Sequence, residues 1–110
     1  MAHFEARKSL EPGRVLVALT GECDLAARDE LMTALLAAVA SAPVVVVDVG
    51  ALRFLDSTGL HGLVTAHHAA REEGGRLYVV NATGMVASVL DITGVGDLLR
   101  APADDQLQQS

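Results

Sequence analysis

The chain has 110 residues, a length that one core fills and two cannot share. Apolar residues make up 51%, yet there is no Trp, one Tyr and two Phe, so the core is expected to be built from small aliphatic side chains. The net charge is −6 and the basic residues are scattered, which leaves no positive stripe for a run of phosphates and argues against direct nucleic-acid binding.

In chain order, Glu11-Pro12-Gly13-Arg14 is a turn signal between His3 to Leu10 and the Val/Leu-rich run Arg14 to Thr20, which stops at Gly21. A hairpin is expected there. Asp24 stands where an N-cap would, and Leu25, Leu31, Met32, Leu35, Leu36 and Val39 recur mostly at helical steps. Ser41-Ala42-Pro43 ends that helix and leads into Val44 to Val49, whose four consecutive valines read as a strand covered on both faces. Ala51 to Leu55 reads as a connection.

A second helical pattern follows Asp56-Ser57-Thr58-Gly59, with Leu60, Leu63, Val64, His67 and Ala70 on its period, and Gly74-Gly75 closes it. Arg76 to Asn81 reads as a further buried strand. Thr83 is placed to cap a third helix carrying Met85, Val86, Val89 and Leu90, which ends at Gly94. Asp97 to Arg100 suggests a short edge strand, and residues 101–110 a polar tail with at most a brief helix.

Strands that alternate with helices predict parallel crossovers, hence one α/β domain over residues 1–110 with its core at about 4–100. The expected sheet is mixed, with four or five strands, an N-terminal hairpin and three to four helices. The single Cys23 excludes an internal disulfide, and the first eight residues lack the apolar core of a signal peptide. The longest apolar stretches, such as Ala42 to Val47, fall far short of the ~20 residues that span a bilayer. A cytoplasmic setting without membrane insertion is therefore expected.

Ser57 lies between a strand's connection and the start of a helix, near backbone amides that have no intrahelical partner. A phosphate on Ser57 is expected to accept bonds from the amides of Gly59 and Leu60 at the positive end of the helix dipole. Gly59, lacking a Cβ, is expected to let a partner's backbone come close. The plain reading of Asp-Ser-Thr before a helix is nevertheless a cap, and the pattern alone does not separate a cap from a switch.

Val44 through Leu60, VVVVDVGALRFLDSTGL, resembles the signature of the STAS family and of bacterial anti-sigma factor antagonists in particular. The resemblance includes Asp48 near the end of the strand, the spacer with Leu52 and Phe54, and Asp56-Ser57-Thr58-Gly59-Leu60. Gly21-Glu22-Cys23-Asp24-Leu25 looks like the family's loop before its first helix, and Val95 to Leu99 lies near its last strand. In order and spacing the likeness covers roughly residues 4 to 100.

That resemblance implies a STAS fold and a partner-switching role in the control of transcription, for example in a stress response. By position Ser57 is the serine that an anti-sigma factor with serine kinase activity would phosphorylate, and a phosphoserine phosphatase would restore it. The unmodified form would bind the anti-sigma factor and free a sigma factor. Asp24, Asp56, Ser57, Thr58, Gly59 and Leu60, with Thr83, Gly84 and Met85 beside them, would form the partner surface. A phosphate carrying about −1.5 to −2 charge at ~6 Å from one carboxylate is repelled by on the order of 1 to 5 kcal/mol. No enzymatic activity, catalytic residue, cofactor or metal is expected of this chain. His61 departs from the family pattern, standing where a small residue is more usual.

Other readings are weaker. A serine-hydrolase elbow needs Gly at position 55, where Leu55 stands, and no His follows His68. An aspartic protease needs Asp-Ser-Gly or Asp-Thr-Gly, whereas Thr58 intervenes here. His61, His67 and His68 are spaced against a shared zinc ion, because residues seven apart on a helix lie ~10 Å from each other along its axis, and surface or half-buried histidines are expected. Cys23 reads as a small buried side chain. The alternative from another class is a STAS adaptor subunit of a lipid-transport or membrane-transporter complex in which Ser57 is never phosphorylated.

Overall fold

Pro12-Gly13 reverses the chain with Gly13 at φ 78°, a left-handed conformation open to glycine, and joins β1 (Phe4–Glu11) to β2 (Arg14–Cys23). These strands pair antiparallel from Phe4↔Gly21 to Glu11↔Arg14. The computed structural model describes residues 3–101. A 3-10 turn, Leu25–Ala27, leads into α1 (Arg28–Ser41), and α1 crosses over to β3 (Val44–Leu55). The second crossover is α2 (Ser57–Glu72), which returns to β4 (Arg76–Val80). Then come α3 (Gly84–Thr93) and the short α4 (Val95–Leu98).

Among the described residues the sheet has four strands in the order β1-β2-β3-β4, with β2-β3 and β3-β4 parallel. It is a mixed α/β architecture with a hairpin at one edge, as the alternation of patterns predicts. One face carries the main core: Val15, Val17 and Leu19 of β2 and Val45, Val47 and Val49 of β3 meet Leu31, Leu35 and Ala38 of α1 and Leu63, Ala66 and Ala70 of α2. On the other face Val46 and Tyr78 are buried with Ala101, against Leu16, Val44 and Val80. The unalternating valines are therefore covered on both sides.

Three features differ from the sequence reading. First, β3 does not end at Val49 but runs on through Ala51 to Leu55, still paired with β2. The register slips twice: Ala18 to Thr20 faces Asp48 to Ala51, and Gly21 to Glu22 faces Leu52 to Phe54, so each slip sets one extra residue on β3. These bulges break the two-residue period, which is why the segment reads as a connection, and they turn Leu52 and Leu55 into the core.

Second, the edge strand expected at Asp97 to Arg100 is the helical turn α4 and its exit. Gly94, at φ 78°, ends α3 and starts α4 at once, and Gly96 packs against Leu90 so closely that α4 stays folded on α3. Contact with β4 is kept there by the bond from the amide of Val79 to the carbonyl of Leu99 at 2.8 Å.

Third, α1 buries fewer of its apolar residues than its period suggests. Leu25 precedes the helix and is 67% exposed, while Leu36 lies about 100° round from Leu35 and is 43% exposed. Of the expected polar tail, only Ala101 is described, and it is buried; the brief final helix expected within residues 101–110 lies outside the described residues.

Candidate functional site

The parallel strands β2 and β3 end side by side, and each hands its chain to an aspartate. Past Cys23, the Asp24 carboxylate accepts from the amide of Ala26 at 3.1 Å and caps the 3-10 turn. Past Leu55, Asp56 caps α2, its Oδ1 accepting from the amides of Thr58 at 3.0 Å and Gly59 at 3.1 Å. The amide of Asp56 donates to the carbonyl of Cys23 at 3.3 Å, which ties the two strand ends together.

Ser57 is the first residue of α2 and is exposed. It lies at the surface and lines a groove described below. The amides expected to receive a phosphate there are already used: Gly59 donates to Asp56 Oδ1, and Leu60 donates to the Asp56 carbonyl at 3.0 Å. The capping carboxylate has taken the place assigned to an anion.

Gly59 also differs in the role of its missing side chain. It is buried, and a Cβ there would stand 2.5 Å from Cδ1 of Leu55 and 2.9 Å from Sγ of Cys23. The glycine serves the inside of the protein, letting α2 start directly on the strand ends. Leu60 is likewise buried in the core. Asp24, Asp56 and Thr58 are half-buried, so the surface at this end is formed by Ser57 with its flanking polar groups.

Under the turn, Cys23 is fully buried. Burial, with the nearby carboxylates of Asp56 and Asp24 adding to it, pushes its thiol up to about 11. It is a packed, protonated thiol, consistent with its sequence reading.

A groove of about 380 Å³ opens beside Ser57 between the starts of α1 and α2. Leu25, Arg28 and Met32 line one wall, and Ser57, Thr58 and His61 the other. At Gly62 a Cβ would come within 2.9 Å of Leu31 Cδ2, so this glycine sets how closely the two helices approach. Leu25, Arg28, Met32 and His61 are absent from the partner set expected from sequence. Leu25 and Met32 count as core by periodicity, and nothing in the local pattern signals that Arg28 shares a groove with Ser57.

Thr83, Gly84 and Met85 are all exposed, Met85 by 40%, and none of them lines that groove. Thr83 occupies the N-cap position of α3 but makes no side-chain cap bond. It borders a different hollow, with Asp48, Gly50, Ala51 and Asn81. There Asp48 Oδ1 accepts from the Gly50 amide at 2.8 Å, and Asp48 does not line Ser57's groove. Among the histidines, His67 departs from the surface or half-buried expectation: it is buried, with Nδ1 3.4 Å from the carbonyl of Leu77. Among the described residues no cluster of three His, Cys, Asp or Glu could hold a metal ion, and no helix is long and apolar enough to cross a membrane.

A family model described as "Mlab, STAS domain" matches residues 6–100. Among solved structures, an anti-sigma factor antagonist from Mycobacterium paratuberculosis is 28% identical, with 97% of this chain and 93% of that one covered and a TM-score of 0.82. The anti-sigma factor antagonist SpoIIAA in its unphosphorylated form is 18% identical, with 96% and 95% covered and a TM-score of 0.77. The Bacillus cell fate determinant SpoIIAA in its phosphorylated form is also 18% identical, with 97% and 98% covered and a TM-score of 0.68. At that identity the SpoIIAA structures speak for the fold alone. No match was found among curated proteins.

Proposed function

The chain belongs to the STAS domain family, and we propose that within it this protein is an anti-sigma factor antagonist switched by phosphorylation of Ser57. The unmodified form binds an anti-sigma factor that is also a serine kinase, and a sigma factor is released. Phosphorylation ends that binding, and a phosphoserine phosphatase restores it. The protein itself acts by binding, without catalysing a reaction, and works in the cytoplasm.

The observation that carries this reading is the exposed Ser57 on a turn held rigid from beneath. Asp56 fixes two amides of the turn, and Gly59 seats it on Leu55 and Cys23. A kinase meets a preorganised hydroxyl, and a partner meets a surface that needs little ordering on binding. The similarity at 28% identity to an anti-sigma factor antagonist supports the same role.

The partner surface runs from Asp24 and Asp56 across Ser57 and Thr58, with Gly59 and Leu60 supporting it from below and Thr83, Gly84 and Met85 at its margin. A phosphate adds about −1.5 to −2 charge next to two carboxylates, and bulk on a surface that a partner must pack against.

The test is to incubate the protein with ATP and the candidate kinase, then measure binding of that partner to wild type, Ser57→Ala and Ser57→Asp. Phosphate on wild type only, retained binding in Ser57→Ala and at least tenfold weaker binding in Ser57→Asp are expected. Binding of Ser57→Asp as tight as wild type would favour the adaptor reading instead.

A further inference from the structure

The groove beside Ser57 has a charge asymmetry. Ser57 and His61 stand one helical turn apart on α2, at positions i and i+4, so their side chains share a face. Arg28, in the first turn of α1, lines the opposite wall of the same groove. Neither Asp24 nor Asp56 lines it. Both carboxylates are turned to backbone amides, Asp24 to that of Ala26 and Asp56 to those of Thr58 and Gly59.

Arg28 and His61 are exposed and their side chains form no ion pair or hydrogen bond among the described residues, whereas Arg53 is held by Glu22 at 3.0 Å and Arg100 by Asp97 at 2.8 Å. Two donors are thus uncommitted in the groove that Ser57 lines. A guanidinium and an imidazole are both suited to phosphate oxygens, the first through two parallel N–H bonds. The amides of Thr58, Gly59 and Leu60 are already bound to Asp56, so a phosphoryl group on Ser57 finds side-chain donors in the groove.

We propose that a phosphoryl group on Ser57 is held within this chain by Arg28 and His61, across the groove between α1 and α2. This rests on the reading of Ser57 as the modified residue and adds to it a receiving site. The phosphate then covers Leu25 and Met32 in the groove, so the modified state is a rearranged surface, with the added charge compensated locally. The charged groups around it are Arg28 and Asp29 from α1, His61 from α2, Asp56 at its cap, and Asp24 at the end of β2.

The sign of one measurement decides between local cations and the two carboxylates. Phosphoserine is installed at position 57 of the full chain during translation, and its second ionisation is followed by phosphorus NMR in the folded protein and in urea. Cations favour the dianion and lower the midpoint, while carboxylates raise it. The midpoint is expected to fall about half a pH unit or more below the unfolded reference, itself near about 6. Arg28→Gln and His61→Gln each return part of that shift and together return most of it, whereas Arg71→Gln, at the far end of α2, leaves it unchanged. A folded midpoint at or above the unfolded one, or one unmoved by Arg28→Gln with His61→Gln, overturns the proposal. Because the phosphate is installed without a kinase, the titration is independent of the binding test: Ser57→Asp binding like wild type would defeat the switch while leaving this result standing.

Discussion

A Cβ on Gly59 would stand 2.9 Å from Sγ of Cys23, so the start of α2 and the end of β2 are packed with no room for a methyl group. The Ser57 turn is therefore placed by the strand ends beneath it.

Gly59→Ala is expected to lower stability by up to about 2 kcal/mol. The gain in helix propensity, about 1 kcal/mol, is outweighed by an overpacking penalty of about 1 to 3 kcal/mol against Leu55 and Cys23. Cys23→Ala opens the space from the other side, so the double variant should lose less than the two single losses added together. Urea unfolding of the four proteins measures this coupling; strict additivity would mean the contact carries no strain.

Asp56→Ala strands the amides of Thr58 and Gly59 and should cost about 0.5 to 2 kcal/mol, while Asp56→Asn, which keeps an acceptor oxygen, should cost much less. The urea midpoint should drop at an unchanged slope. Ser57→Ala, at an exposed position, should stay within about 0.5 kcal/mol of wild type.

Cys23 gives the protein an alkaline limit. Its thiol is raised from 9.0 to about 11 in the folded state, so the unfolded chain releases this proton first as pH rises. Stability linked to the thiol is complete below about pH 9 and is lost between there and about pH 11, a fall on the order of 2 to 3 kcal/mol. Cys23→Ala should flatten that part of the stability profile. At pH 8 a thiol reagent should label wild type only as fast as the protein opens.

The exposed apolar residues near the two hollows should act on binding and leave folding alone. Leu25→Ser and Met85→Ser remove side chains that are 67% and 40% exposed. Each should weaken anti-sigma factor binding about tenfold, near 1.4 kcal/mol, with melting within a few degrees of wild type. Equal binding by Leu25→Ser would remove the groove from the partner surface.

The valine run, the Pro12-Gly13 turn, Pro43 after α1 and the glycines after α2 and α3 made the strand–helix order legible, because each is a strong local signal. The site was legible in part: Asp24 and Asp56 lie at caps, and Ser57 is at the surface. What escaped depends on long-range pairing. The two bulges on β3 are set by its register with β2, and Leu25 faces outward because a 3-10 turn precedes α1. The groove with Arg28 and His61 exists only because Gly62 lets the two helices approach, a relation between residues more than thirty apart in sequence.

The bond from Val79 to Leu99 has a consequence for how this molecule meets others. It occupies an outward donor of β4 that would otherwise invite a foreign strand, while Arg7 and Lys8 stand exposed on β1 at the opposite border. Recruitment by backbone zippering is discouraged at both borders, which leaves recognition to side chains. Surface side chains can then be replaced to change which partner is recognised, with the hydrogen-bonded scaffold left intact.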